Sequence, residues 1–297
     1  MKWFQIKEQA AGKKRLILTW YLYKIFGKNI VYAIALLMAL LTFFFSGKVR
    51  GYSKKYFSLT YPILNIKPSL INQFKHIYAF ANSIADRILL YCGDFDCNNI
   101  IFENEDAKNN LMNNVEEGKG AFFIFNHIGN IEILQTYLLK NVNPKDFCVN
   151  IFMSYKQSNI FKDFIEKIQV DFPVKMFAIE DIGIKTGITL KESLEKGNVA
   201  FIAGDRVAEN NDSKNIKVEI LNNTAYFPKG TYTFAKLMEV PIYFISAAKY
   251  KDKYTVYIEE QKSRSENELA VSFAKFSERI AKIHPFQFFH FFDFFVE

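Results

Sequence analysis

Residues 121–134 of the chain read AFFIFNHIGNIEIL, and this stretch decides how the centre of the chain folds. Five apolar residues run directly into a polar segment that contains His127 and Gly129, an acid follows at Glu132, and the sequence then becomes apolar again. A buried strand that opens into a polar turn and then a helix is how α/β folds place chemical groups at the edge of a sheet. The pattern therefore predicts a strand, a turn that carries His127 and a helix that begins near Asn130.

Strands and helices alternate along the rest of the chain. Predicted strands cover residues 121–125, 147–153, 174–178, 199–203 and 241–247, and predicted helices cover 131–140, 160–168, 187–196 and 231–239. An amphipathic helix over 70–91 leads into this region, and an added antiparallel strand over 254–259 and a helix over 268–283 follow it. The sequence predicts one α/β sandwich domain over residues 61–297, with a central mixed sheet flanked by helices.

The composition excludes a disordered or fibrous chain, because half of the 297 residues are apolar. The chain contains 32 Phe, which favours either a surface that meets lipid or acyl chains or a core rich in Phe. Its three cysteines form no CxxC pair, so neither a disulfide framework nor a zinc site is indicated.

Positive charge is concentrated at the start of the chain. Eleven Lys and Arg residues stand against Glu8 alone through residue 60, although the whole chain has a formal charge of only +7. A basic arm on a nearly neutral body suits a membrane surface or an acidic protein partner. No zinc-finger, homeodomain or RNP-type pattern is present, so we expect no nucleic-acid partner.

Residues 30–45, IVYAIALLMALLTFFF, form an uncharged apolar run with Lys28 on one side and Lys48 and Arg50 on the other. The run is short for a comfortable membrane span, and a crossing would leave one basic cluster outside, against the positive-inside rule. We therefore expect residues 1–60 to be a membrane-associated segment whose apolar helix lies in the cytoplasmic leaflet. A single span and a buried core helix are the alternatives.

His127 and Glu132 are candidates for a general-base dyad. On one continuous helix their side chains would point about 140° apart and could not cooperate. If His127 lies in the turn and Glu132 in the first helical turn, the acid can hydrogen-bond one ring nitrogen and leave the other to accept a proton. The alternative is that Asn126 and Glu132 only serve the helix start.

A histidine, four residues and an acid resemble the catalytic motif of the lysophospholipid acyltransferase superfamily. The stretch HIGNIE at 127–132 looks most like the lipid A (secondary) acyltransferase branch, in which the acid is Glu. Further blocks at 204–206 (GDR), 227–230 (FPKG) and 240–242 (VPI) are similar to that family in their spacing. The opening residues and the aromatic tail, HPFQFF at 284–289 and FFD at 291–293, resemble the acyltransferases of aryl polyene pigment clusters.

The resemblance implies transfer of an acyl chain to a hydroxyl of a membrane lipid or glycolipid at the cytoplasmic face of the inner membrane. The donor would be a thioester on the phosphopantetheine of an acyl carrier protein, with no metal, no other cofactor and no acyl-enzyme intermediate. His127 would deprotonate the hydroxyl and Glu132 would orient His127. Asn130 or turn amides at the helix start are the candidate donors for the oxyanion.

Five further positions, Asp205, Arg206, Lys229, Gly230 and Lys156, complete the candidate substrate-binding residues. Arg206 follows Asp205 at the end of an apolar strand, so we assign it to phosphate recognition, with a salt bridge to Asp205 or Glu209 that shapes the loop as the alternative. Lys229 and Gly230 open a helix and could help to hold a phosphate. Lys156 lies where some relatives carry a basic residue.

Other functions stay open at this point. The same dyad could activate water as a thioesterase or lipid hydrolase, and no GxSxG motif indicates a serine hydrolase. A lysolipid acyltransferase that uses acyl-CoA and a non-catalytic lipid-binding protein are further alternatives. For acyl transfer, we expect the Phe-rich tail, residues 286–295, to lie with the apolar helix on one membrane-docking surface, and burial of the tail in the core is the alternative.

Overall fold

The computed structural model describes residues 13–142, 147–155, 159, 163–164, 173–207, 212–262 and 265–296. The helices in these ranges are α1 Lys13–Phe26, α2 Lys28–Phe45, α3 Gly47–Leu64, α4 Leu70–Tyr91, α5 Glu105–Glu116, α6 Glu132–Asn141, α7 Ile184–Leu194, α8 Lys229–Leu237 and α9 Glu266–Ile283. The strands are β1 Ile100–Phe102, β2 Ala121–Gly129, β3 Val149–Met153, β4 Val174–Ala178, β5 Val199–Ala203, β6 Asn215–Ile220, β7 Asn223–Pro228, β8 Ile242–Tyr250, β9 Lys253–Gln261 and β10 Phe295–Val296.

Seven strands form the central sheet in the order β1-β9-β8-β2-β5-β3-β4. The five strands from β8 to β4 are parallel, β9 is antiparallel to β8, and β1 is parallel to β9. The predicted α/β fold with a mixed sheet is confirmed, and so is the added antiparallel strand, which is β9. The helix predicted over 160–168 falls largely outside the described residues.

A second, three-stranded sheet of β6, β7 and β10 was not predicted from the sequence. Strands β6 and β7 form a hairpin whose two turn residues, Leu221 and Asn222, both have positive φ, at 53° and 57°. Two-residue hairpin turns favour this backbone conformation because its twist matches that of the strands.

The central sheet is buried on both faces, which explains the continuous apolar run at the start of β2. Phe122 and Ile124 point into a core cluster shared with α7, α8, α9 and the small sheet. Ala121 and Phe123 point into the opposite cluster, which is shared with α5 and α6. The strand ends of β2 and β5 are therefore held rigidly between two layers of helices.

The predicted apolar helix over 30–45 is confirmed as α2. Its small side chains Val31, Ala35 and Ala39 are buried, where they join clusters with residues of α4. Its large side chains point outward, and Phe44 and Phe45 are 64% and 83% exposed. Within the described residues, α2 is the one helix long and apolar enough to cross a membrane, and 17% of it is buried; a soluble core helix or a signal sequence would pass the same test.

Helix α3 joins the N-terminal segment to the body of the protein. It crosses residue 60, the predicted boundary, and its Tyr56 and Phe57 are buried in the core cluster of the central sheet. The Tyr56 hydroxyl donates to the carbonyl of Pro285, and Lys55 pairs with Asp293 at 3.1 Å. The N-terminal helices and the body are thus continuous at residue 60.

The Phe-rich tail packs into the core, so the expectation that it forms a membrane-docking surface is wrong. Phe288, Phe289, Phe294 and Phe295 are all buried, and β10 adds to the edge of β7. Burial removes the free-energy cost of exposing these rings to water. A Phe-rich core was the alternative that the composition left open.

Candidate active site

Two neighbouring parallel strands bring His127 and Asp205 together. The pairing of β2 with β5 runs from Ala121 opposite Val199 to Phe125 opposite Ala203. His127 and Asp205 each follow two residues after that last pair, so both lie at the carboxyl ends of adjacent strands. This is the edge at which α/β folds place ligand groups.

Asp205 holds His127 through two hydrogen bonds. The ring Nδ1 of His127 lies 2.7 Å from Asp205 Oδ1, and the backbone N–H of His127 donates to Oδ2 at 2.6 Å. An ionised carboxylate only accepts, so the ring proton is on Nδ1 and Nε2 is the basic nitrogen. Nε2 has no hydrogen-bond partner among the described residues, and 24% of the His127 side chain is exposed, whereas the Asp205 side chain is 2% exposed.

The electrostatics put both groups in the charge states that a general base needs. Burial, followed by the positive charge of Arg206, lowers the pKa of His127 to about 4, while Asp205 acts in the opposite direction. Burial alone would raise the pKa of Asp205, but the contacts with His127 and His290 outweigh it and hold that pKa well below its usual value. At neutral pH, His127 is therefore neutral and Asp205 is ionised.

Two hydrogen bonds from α8 hold the loop that carries Asp205. The Thr231 hydroxyl donates to the carbonyl of Ala203 at 3.0 Å, and the Tyr232 hydroxyl donates to that of Gly204 at 2.8 Å. These two bonds fix the backbone directly before Asp205.

The C-terminal tail also contacts the residues of the site. The backbone N–H of Phe289 donates to the carbonyl of His127 at 2.9 Å, and Arg206 Nη2 donates to the carbonyl of Phe289 at 3.3 Å. Nε2 of His290, from the same tail, lies 3.1 Å from Asp205 Oδ2. His290 was not among the residues predicted from the sequence, in which it is marked only as a histidine among phenylalanines.

His127, Asp205 and His290 are also the residues that could hold a metal ion, since their ligand atoms lie within 4.8 Å of one another. Two ligands of one tetrahedral ion at metal–ligand distances near 2.0 Å lie about 3 Å or more apart. The 2.7 Å distance between His127 and Asp205 is instead that of a charge-assisted hydrogen bond, and Arg206 adds a positive charge beside it. The arrangement is that of an acid–base pair.

The predicted His127–Glu132 dyad is wrong. Glu132 begins α6, as expected for the first helical turn, but its Oε1 lies 2.8 Å from Nε of Arg87, and no hydrogen bond links it to His127 among the described residues. The reason is that β2 continues to Gly129 and holds His127 in the sheet beside β5. Gly129 then turns at φ 73°, where a Cβ would lie 2.1 Å from the carbonyl oxygen of Ala247.

Asn130 does not offer its amides to the site. Its backbone N–H donates to the carbonyl of Ala247 at 2.7 Å, and its side-chain Nδ2 donates to the carbonyl of Ser83 at 3.3 Å. Both bonds turn these donors toward β8 and α4, so the expectation that Asn130 binds the oxyanion is not supported.

The remaining predicted residues have different outcomes. Lys229 and Gly230 are exposed at the start of α8, directly before the two residues that fasten the Asp205 loop. Lys156 lies outside the described residues. Arg206 is at the site, as expected, but its described contacts are with Phe289 and with the ring of Phe292.

A cavity of about 920 Å³ lies beside the site, between α2, α4 and the turn from β8 to β9. Its lining includes Tyr32, Ser83, Asp86 and Lys249 but not His127. The carbonyl of Ser83 that accepts from Asn130 belongs to the wall between this cavity and the end of β2.

The chain matches no known protein-family model and none of the curated proteins with which it was compared.

Proposed function

We propose that this protein is an O-acyltransferase that moves an acyl chain from a carrier-protein thioester to a hydroxyl of a membrane lipid or glycolipid. The observation that carries the proposal is the His127–Asp205 pair at the strand ends, with the proton on Nδ1 and a basic, accessible Nε2. The large exposed apolar face of α2 supports a lipid as the acceptor.

His127 Nε2 takes the proton of the acceptor hydroxyl while the hydroxyl oxygen attacks the thioester carbonyl. Asp205 stabilises the imidazolium that forms. The tetrahedral intermediate then expels the phosphopantetheine thiolate, which receives the proton from His127, and an ester remains on the acceptor. Because the pKa of His127 is only about 4, proton transfer is coupled to formation of the C–O bond, which makes the hydroxyl more acidic.

Arg206 is the positive charge nearest to this chemistry for which a contact is described. It is close enough to His127 to lower the pKa of that ring, so it also favours negative charge that develops beside the ring. We assign Arg206 to the oxyanion or to a phosphate of the donor or acceptor, in place of Asn130.

The mode of membrane attachment follows from how α2 is held. Near its start, the Tyr32 hydroxyl donates to Asp86 of α4 at 2.6 Å. Near its end, the ring of Phe43 packs on Phe74 of α4 at 5.6 Å. After Ser46 the chain enters α3, which is anchored in the core by Phe57.

A helix held along its length against the body favours monotopic attachment over a membrane span. We therefore propose that the protein is monotopic and sits on the cytoplasmic face of the inner membrane. The outward face of α2 and the exposed Leu70 and Ile71 at the start of α4 enter one leaflet. The Lys and Arg residues at the two ends of α2 meet anionic headgroups.

The experiment that tests the function supplies the full chain, in membranes, with radiolabelled palmitoyl acyl carrier protein. Lipid extracts are then analysed by mass spectrometry. The proposal predicts label in an ester of a membrane lipid, and loss of that label with His127→Ala. Label that appears only as free fatty acid would show a hydrolase, and bound but unreacted acyl chain that does not depend on His127 would show a lipid-binding protein. Either result contradicts the proposal.

A further inference from the structure

Asp205 is approached by two histidines. Its Oδ1 accepts from the ring of His127, and its Oδ2 accepts from the backbone of His127 and lies 3.1 Å from Nε2 of His290. The His290 side chain is 1% exposed. A carboxylate that faces a second imidazole at this distance divides its electrostatic stabilisation between two rings.

The position of His290 is fixed by aromatic packing. Its ring centroid lies 4.3 Å from that of Phe288 and 4.2 Å from that of Phe294, with Phe292 at 5.3 Å. Phe288 forms a bridge with Ile128, so the aromatic packing is tied to the end of β2. Both ring nitrogens of His290 are buried and neither makes a well-aligned hydrogen bond among the described residues, so the 3.1 Å approach of Nε2 to Asp205 Oδ2 is a close electrostatic contact.

The charged and titratable groups around His290 come from three parts of the chain. They are Asp205 and Arg206 after β5, His127 at the end of β2, and His76 on α4. Burial lowers the pKa of His290, and burial lowers that of His76 to about 4. Both rings are neutral near pH 7, so His290 can present an N–H to Asp205 without adding charge.

We propose that His290 is a positioning residue that acts through Asp205: it occupies Oδ2, fixes the carboxylate with Oδ1 toward His127, and limits how strongly Asp205 stabilises protonated His127. This inference rests on the proposed role of His127 as the general base. The aromatic tail then has a function in the site, because it places His290 beside Oδ2 of Asp205.

The test titrates the ring of His127 directly. The chain contains four histidines, so each ring can be assigned in the detergent-solubilised, ¹⁵N-histidine-labelled full chain by single substitution. His290→Phe suits the aromatic surroundings and removes the N–H, whereas His290→Gln keeps a donor. His284→Phe is the matched control, because His284 is a buried tail histidine that contacts Tyr257 at 2.7 Å.

In His290→Phe we expect the pKa of His127 to rise by about one unit, because Asp205 is no longer shared. His290→Gln should shift it less, and His284→Phe should leave it unchanged. The acid limb of acyl transfer in His290→Phe should move to higher pH by the same amount as the ring titration. The loss of kcat should be smaller than the roughly hundredfold or greater loss expected for His127→Ala.

An unchanged pKa of His127 in His290→Phe, or an equal shift in His284→Phe, would overturn the inference. The titration needs no substrate, so it separates this inference from the proposed function. If the pKa of His127 shifts in a protein that transfers no acyl chain, the role of His290 is supported and the acyltransferase is refuted. If acyl transfer occurs but the pKa does not shift, the acyltransferase is supported and the role of His290 is refuted.

Discussion

Proteins usually expose charged side chains and bury large apolar ones. The strand-end site and the N-terminal helices break this rule in opposite ways. At the ends of β2 and β5, an ionised carboxylate and one imidazole are buried and a second imidazole is mostly covered. Along α2, large apolar side chains such as Phe44 and Phe45 are exposed. Buried charge costs free energy unless it is paired, and exposed apolar surface costs free energy unless something covers it.

The two regions differ in which groups offset these free-energy costs. Asp205 is satisfied within the protein, by His127 and by the approach of His290. The outward face of α2 has no such cover in the part of the chain that the structure describes, and our proposal assigns lipid to it. Under our proposal the first region carries the chemistry and the second meets lipid, so substitutions should affect them separately.

The largest expected effect is on catalysis. His127→Ala should reduce acyl transfer by about a hundredfold or more, because it removes the general base. Membrane attachment should not change, because His127 is not part of the α2 surface. Rates with carrier-protein donor, measured at equal amounts of membrane-bound protein, check this; residual activity within tenfold would remove His127 from the mechanism.

The next effect is on location. Replacing Phe44 and Phe45 together with Asp should move most of the protein from the membrane to the soluble fraction, because two charges cannot enter the leaflet at low cost. Ile184→Asp is the control, since Ile184 is 86% exposed on α7. Sedimentation of membranes after mild salt washing measures the distribution, and equal retention of both variants would refute docking through α2.

A smaller effect is expected at Glu132. Glu132→Gln should keep activity within about tenfold of wild type, because Glu132 pairs with Arg87 and does not contact His127. It should lower the free energy of unfolding by about 1 kcal/mol or less through the weakened ion pair. Thermal unfolding and activity are compared with those of Glu239→Gln, which alters an exposed pair with Lys191. A Glu132→Gln variant that is inactive but has unchanged stability would support the His127–Glu132 dyad instead.

A separate effect is a gradual dependence of stability on pH. Burial lowers the pKa values of His76, His127 and His290 below their usual value of 6.5, for His76 and His127 to about 4. Below pH 6.5 the unfolded chain therefore binds more protons than the folded chain, so the free energy of unfolding falls as the pH decreases from 6.5 toward 4. Urea denaturation across this range measures it, and constant stability would contradict the burial of these rings in neutral form.

The fold was predictable because its central strands and helices have strong local patterns. The apolar runs of β2, β4 and β5 identified the strands, and helical spacing identified α4 with its observed ends. The hairpin of β6 and β7 was missed because its residues alternate between apolar and polar over only six positions. Short β1 and polar α5 were missed for a similar reason.

The site was only half predictable. His127 and Asp205 each stand out after an apolar strand, but their pairing depends on β2 and β5 being neighbours, which local sequence does not encode. The sequence spacing of His127 and Glu132 suggested a nearer partner, and a strand four residues longer than expected removed it. His290 comes from the far end of the chain, and only tertiary packing of the tail places it beside Asp205.

The central claim is that Asp205 orients the base, and the Asp205→Asn variant tests it most directly. An amide at this position can donate to Nδ1 and stabilise the wrong tautomer of His127. Acyl transfer by Asp205→Asn and Glu132→Gln is measured side by side in membranes that contain equal amounts of folded protein. The account predicts that Asp205→Asn loses about a hundredfold or more in kcat while Glu132→Gln stays within about tenfold of wild type. An active Asp205→Asn beside an inactive Glu132→Gln would contradict it.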